Sequence, residues 1–394
     1  MKVKWSILFL IWLMMLVAYF DRVNISVAGP TISRALGFSA TQFGLVLSAF
    51  TLGYAVLQIP GGRLADRFGA KPLLVAALLM WSLFTGATGL VTGFAILLII
   101  RVLFGVGEGL ENGAQFKLIG DNFQPEERSR ANAIFLSTLA LGPAIATPCA
   151  AWILQHQGWR ELFYYSAGLG FAVALLLYVL LPNPAKTLAP LQGKLDLRQP
   201  QLWVCAGAYL LFNGAFWGFI GWIPSYLTET RHLTLSKLGL LGAVPYLCGF
   251  LAMLAVGQLG SASFFHRKSL LLGVCYLGAA ASLFFALNAG TLAGAITGLS
   301  AAAACLYGSF GPFWAVAIDL TTAGNRGGLT GFINFGGQIG GFVAQIVIGK
   351  LFDMTHSFAA GLSYMIVCLV LSAVAASAIR PANLNPASPV NNLR

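Results

Sequence analysis

Four ionisable residues stand inside apolar sequence. Asp21 and Arg22 interrupt ILFLIWLMMLVAYFDRVNIS, and Arg101 and Glu108 interrupt LLIIRVLFGVGEG. An ion in hydrocarbon costs about 3 kcal/mol or more unless it is paired or hydrated, so a passive anchor has no use for these residues. Arginine stays protonated and presents a planar fork matched to carboxylate, which makes Arg22 and Arg101 candidate binders of an organic anion. Asp21 and Glu108, once taken out of water, are the groups able to accept a proton. A carboxylate that holds Arg when ionised and releases it when protonated links proton uptake to anion binding. Spacing supports a shared site. Arg101 and Glu108 are seven residues apart and lie on one helix face, while Glu111, rotated about 80° from Arg101, falls at the cavity or its edge. At about 1.5 Å per residue, Asp21, Arg22 and Arg101 reach a common depth. Charges that served packing alone would be poor stabilisers.

The elements that must position these groups are membrane helices. The 394 residues are 58% hydrophobic and only 9% charged, with a mean hydropathy of +0.81, whereas a soluble domain is about a quarter charged. The net charge of +11 suggests no nucleic-acid partner, because Lys and Arg are sorted by side of the bilayer. Twelve apolar segments are expected, from Trp5–Val27 to Phe358–Ile379, including Gln42–Ile59, Phe94–Leu118 and Leu292–Leu320. The first is too long for a signal-peptide core and reads as a retained span. Basic residues concentrate at the ends sharing a side with Lys2 and Lys4, which places both termini in the cytoplasm. The Pro-rich stretch LPNPAKTLAPLQGKLDLRQP reads as a cytoplasmic linker at 182–200 between two six-helix units, 1–181 and 201–380, with a cytoplasmic tail at 381–394. The layout of DNFQPEERSRANAIF from Asp121 recurs in DLTTAGNRGGLTGFINF from Asp319, as expected of a transporter built from parallel repeats. The six cysteines are scattered singly and the four histidines lack ligand spacing, so neither metal nor cofactor is expected.

Other residues carry weaker signals. Asn213, Phe216, Trp217 and Phe219 on one segment, with Phe310, Phe313 and Trp314 on another, either line a pocket or face lipid. A buried Asn334 needs a partner. GGRLADRFGAK, between the second and third segments, combines glycines for close helix approach with Asp66 as a capping or pairing group.

That stretch resembles the signature loop of the major facilitator superfamily, as do Arg101 in RVLFGVGEG, Gly158-Trp159-Arg160 and the LPNP after the sixth segment. Within it, YFDRVNIS, RVLFGVGEG, PEERSRA, WIPSYL and INFGGQIGG resemble the anion:cation symporter family. The resemblance implies an all-α integral membrane fold with alternating access, protonation at Asp21 and Glu108, and anion contacts at Arg22 and Arg101. It adds Tyr54, Trp314 and Asn334 as substrate contacts beside Asn213, and a gating loop at Gly62, Asp66, Arg67 and Gly69. Two stretches depart from the family: the residues around Asn112-Gly113, and the fifth segment STLALGPAIATP, which is poorer in polar groups than in sugar-acid carriers. The expected function is proton-coupled uptake of a small carboxylate, such as a sugar acid, hexuronate, tartrate or aromatic acid. The expected setting is a bacterial inner membrane, with the chain acting as a monomer. A proton-driven drug exporter would favour acidic groups facing a cation rather than two arginines. A substrate sensor would carry a signalling domain. No nucleophile–base set suggests an enzyme.

Overall fold

In hydrocarbon every backbone N–H and C=O must be satisfied within the chain, so apolar runs of this length wind into helices. The computed structural model describes residues 2–182, 197–261, 268–320 and 326–379, and the regular structure among them is helical throughout. The first group comprises α1 (Lys2–Leu36), α2 (Ala40–Phe68), α3 (Ala70–Thr88), α4 (Phe94–Gly109), α5 (Glu111–Asn122), α6 (Pro125–Leu136), α7 (Thr138–His156) and α8 (Trp159–Leu180). The second comprises α9 (Pro200–Ser225), ending in a wider π turn at Tyr226–Thr230, then α10 (Leu235–Ser261), α11 (Lys268–Asn288), α12 (Leu292–Gly308), α13 (Phe310–Asp319), α14 (Arg326–Thr355) and α15 (Phe358–Ser377).

Eleven helical segments among the described residues are long and apolar enough to cross a bilayer. The fourth expected span, Phe94–Leu118, is instead divided at Leu110 into α4 and α5. Glycines at 105, 107 and 109 precede the break, and each weakens helix continuity by about 1 kcal/mol relative to alanine. Leu292–Leu320 is likewise divided, at Ser309. There Pro312 has no N–H for the Gly308 carbonyl. The expected loop GGRLADRFGAK also needs correction. Residues 61–68 continue α2, and the chain turns at Gly69 alone, whose φ of +91° suits glycine. The side chain of Asp66 and the surroundings of Gly62 lie outside the described residues, and Arg67 lies over the Phe68 ring. Most of the 182–200 linker, the 381–394 tail and part of the Asp319 repeat also lie outside them.

Helix pairings recur between the groups. In the first, α1 packs on α7, α2 on α4 and α3 on α8; in the second, α9 packs on α14, α10 on α12 and α11 on α15. Apolar side chains such as Leu175 and Val179 on α8 and Val367 and Val374 on α15 point outward, where lipid covers them. With lipid as apolar as leucine, association rests on close packing. The contact of α2 with α4 shows how close: a Cβ on Gly105 would strike the Phe50 carbonyl, and one on Gly53 the Val102 carbonyl.

Between the groups, α2 packs on α14, α7 on α10 and α1 on α9. Gly44 meets the Gln345 backbone, and Gly349 meets the Ala40 backbone. At the same end the Asp353 carboxylate accepts hydrogen bonds from the backbone N–H groups of Ala40 (2.9 Å) and Thr41 (2.7 Å). These are orphan donors of the first turn of α2, whose partial positive charge favours an anion. A residue of the second group therefore caps a helix of the first. Near the opposite end of α1, Lys4 reaches Glu127 at 2.6 Å and holds its carboxyl below the usual range.

Gly105→Ala is expected to lower stability by about 1–3 kcal/mol by forcing α2 from α4, read as a fall in melting temperature in detergent. Asp353→Ala is expected to speed hydrogen exchange at Ala40 and Thr41 without unfolding the helices. Unchanged exchange there would show that the cap does not hold this end closed.

Candidate anion and proton site

Asp21 and Arg22 are consecutive on α1, so their side chains leave it about 100° apart. They meet different neighbours. Arg22 turns toward α4 and α5, where its Nε and Nη2 approach Glu108 Oε2 at 2.6 Å and its Nη2 lies 3.5 Å from Glu111 Oε1. Asp21 turns toward α3, where Thr85 Oγ1 donates to its Oδ2 at 3.4 Å and its Oδ1 has no partner. The shared site expected of Asp21 and Arg22 thus takes the form of two adjoining arrangements, set by the helical angle between neighbours.

The break at Leu110 makes the larger arrangement possible. Glu108 ends α4 and Glu111 begins α5, so the two carboxylates converge on one guanidinium. Gln115 Nε2, one turn further along α5, donates to Glu111 Oε2 at 3.3 Å. Both carboxylates are fully buried, and Arg22 is 5% exposed. The Tyr19, Phe50 and Tyr54 rings surround Arg22, at 4.6, 5.3 and 5.1 Å from its Cζ. The Tyr54 hydroxyl accepts a hydrogen bond from Asn112 Nδ2, which fixes the ring against α5.

Arg101 stands on the other side of Phe50, with its Cζ 5.4 Å from that ring and 4.4 Å from the Phe104 ring. It is 3% exposed, and its Nε finds no acceptor. Buried guanidinium donors ordinarily find one. Arg22 and Arg101 border a cavity together with Ser26, Trp217, Gly221 and Gln345, so helices of both groups wall it. It holds only about 10 Å³, room for roughly one water. A larger hollow of about 530 Å³ on the outer side of α7 and α8 is walled by apolar groups around Trp152 and Tyr165 and contains no charge. The two buried arginines border the small cavity instead.

The remaining candidates are more dispersed. Asn213 donates to the Tyr209 carbonyl of its own helix at 2.9 Å. Trp314 packs edge-on against Tyr209 and Phe313, within an aromatic cluster that includes Phe212, Phe216 and Phe310. Asn334 is half-buried on α14. None of the three lines the arginine cavity. Two groups went unnoticed in the sequence. Ser26, one turn beyond Arg22, was legible by spacing, and Gln345 was legible as a lone amide in the apolar run GGFVAQIVIGK. Glu111, placed at the cavity or its edge by the helical angle, is instead buried against Arg22, beyond the break in the helix axis.

An all-helical bundle with buried charges at a cavity between two helix groups defines a membrane transporter, not an enzyme. The sequence matches the Major Facilitator Superfamily over residues 11–345, and the chain belongs to that superfamily. The hexuronate transporter of Bacillus subtilis (strain 168) is 30% identical, with the alignment covering 99% of each chain. A protein of Escherichia coli (strain K12) named "Probable L-galactonate transporter" is 30% identical over 96% of this chain and 88% of its own. The fold matches, with a TM-score of 0.81, the inward-facing, unoccupied structure of a bacterial homolog to the human lysosomal transporter Spinster. That protein is 19% identical, over 95% of this chain and 96% of its own.

Arg22→Gln strands two buried carboxylates and is expected to cost about 3–5 kcal/mol. Adding Glu108→Gln should restore part of that loss in a double-mutant cycle of detergent melting. Strictly additive losses would show that the pair contributes no coupling.

Proposed function

We propose that this protein imports a small carboxylate together with protons, and that the substrate is a sugar acid of the kind named for its relatives, such as a hexuronate or galactonate. The observation that carries this reading is the charge balance at the buried site. Three carboxyls (Asp21, Glu108 and Glu111) face two guanidiniums (Arg22 and Arg101), leaving one excess negative charge when all are ionised. A bound anion adds another. At low effective dielectric such an accumulation is unfavourable, so anion entry is favoured when a carboxyl takes up a proton.

In this reading Arg101, with its unused donor, and Arg22, freed as Glu108 protonates, clamp the substrate carboxylate. Asp21 and Glu108 carry the coupling protons. Tyr54 closes over the clamp, and Asn213, Trp314 and Asn334 contact the substrate once the two groups part. The cavity is too small for a six-carbon acid as it stands, which fits a carrier that opens by rocking one six-helix half, 1–181, against the other, 201–380, on the linker at 182–200. Taking α4 and α5 as one bent crossing gives twelve spans and puts both basic-flanked termini in the cytoplasm of a bacterial inner membrane. The contact of α2 with α14 then closes the outer face, while Gly62, Asp66, Arg67 and Gly69 gate the inner one. A monomer suffices, with protons and the bilayer as its other partners and no cofactor.

Purified protein in liposomes is expected to accumulate labelled D-galacturonate or D-galactonate when the outside is made acidic, and not when the gradient is reversed. Asp21→Asn should abolish gradient-driven accumulation while leaving substrate binding. Full acid-driven uptake by that variant would remove Asp21 from the coupling, and wild-type uptake indifferent to the gradient would sink the proton mechanism.

A further inference from the structure

The arginine cavity has a second polar wall. Gln345, on α14, is 3% exposed and lines the cavity that Arg22 and Arg101 border. Its Nε2 donates to the Trp217 carbonyl at 2.7 Å. A carbonyl can only accept, so this bond settles which end of the amide is which. The other end, Oε1, is buried and has no partner. Gly221 makes room for it: a Cβ there would press on the Gln345 amide. The cavity is therefore bordered by the guanidinium donors of α1 and α4, by the Ser26 hydroxyl, and by an unused acceptor from α14. A carboxylate cannot satisfy Oε1, because it also accepts. A hydroxyl can.

We propose that Gln345 is a specificity-determining residue, whose side-chain oxygen accepts a hydrogen bond from a hydroxyl of the transported acid while Arg22 and Arg101 hold its carboxylate. This rests on the sugar-acid carrier reading and assigns a partner to one of the substrate's hydroxyls. It also supplies a polar contact that the apolar α7, the STLALGPAIATP segment, does not. Gln338 lies seven residues earlier on nearly the same face of α14, and its Oε1 is also buried without a partner. That places a second unused acceptor about 10 Å along the helix.

The test compares two six-carbon acids, D-gluconate and hexanoate, binding to the full chain in detergent by calorimetry. Wild type is expected to favour gluconate. Gln345→Leu, which keeps the bulk and removes the acceptor, should cut that preference on the order of 10- to 100-fold by weakening gluconate alone. An unchanged preference, or equal weakening of both acids, would overturn the proposal, since a group needed only to join α14 to α9 would move both together. Should Gln345→Leu fail to fold, Gly221→Ala displaces the amide without removing it, and the preference must fall there too. Wild-type protein that binds neither acid nor D-galacturonate would overturn the carrier reading itself, and this inference with it.

Discussion

Arg22 is the residue on which the arrangement turns. A guanidinium enclosed by three aromatic rings and two fully buried carboxylates shares its charge chiefly with those carboxylates. Its attraction to Glu108 offsets the desolvation of both groups without a clear gain in stability, since buried pairs of this kind are often no better than apolar replacements. In the proposed mechanism its value lies in being conditional: protonating a carboxyl would release the guanidinium, and an arriving anion would take the place that the carboxylate leaves. Arg101 shares the Phe50 ring yet lacks an acceptor at Nε, which suits it to the anion-binding role proposed for it.

Backbone approach sets the geometry around this centre. Glycines let α2 lie against α4 at carbonyl distance, which brings Phe50 between the arginines and Tyr54 onto Asn112. The same α2 begins at the turn capped by Asp353 of α14. One continuous helix therefore carries both a wall of the charged site and the contact that closes one end of the bundle.

The two sides of the central cavity differ in chemistry. The first helix group brings the charges, while the second brings Trp217, the amide of Gln345 and, further along, a dense aromatic cluster in which Tyr209 and Phe313 stack at 4.3 Å. Those rings mainly pack on one another. The amide is the polar element that the second group adds to the arginine cavity. Charge would hold a carboxylate whatever the rest of the molecule, so on the proposed reading discrimination among acids falls to groups of the Gln345 kind.

Much of this was legible in the residue order. Charges inside apolar runs can only be functional or paired, because hydrocarbon excludes them otherwise, and that pointed to Asp21, Arg22, Arg101 and Glu108. Helical spacing placed Glu108 on the face of Arg101, and long apolar segments required helices. What the sequence could not convey depended on interruptions and on partners distant in the chain. The break at Leu110 converted Glu111 from a residue at the cavity edge into a second carboxylate on Arg22, since a bent axis voids the angular rule for a straight helix. The apparent loop after Ile59 is helix up to Gly69, where only the φ angle marks the turn. Gln345 gained its meaning from the Trp217 carbonyl, 128 residues away. That contact decides which end of its amide is left without a partner, and only the packing of α14 on α9 could create it.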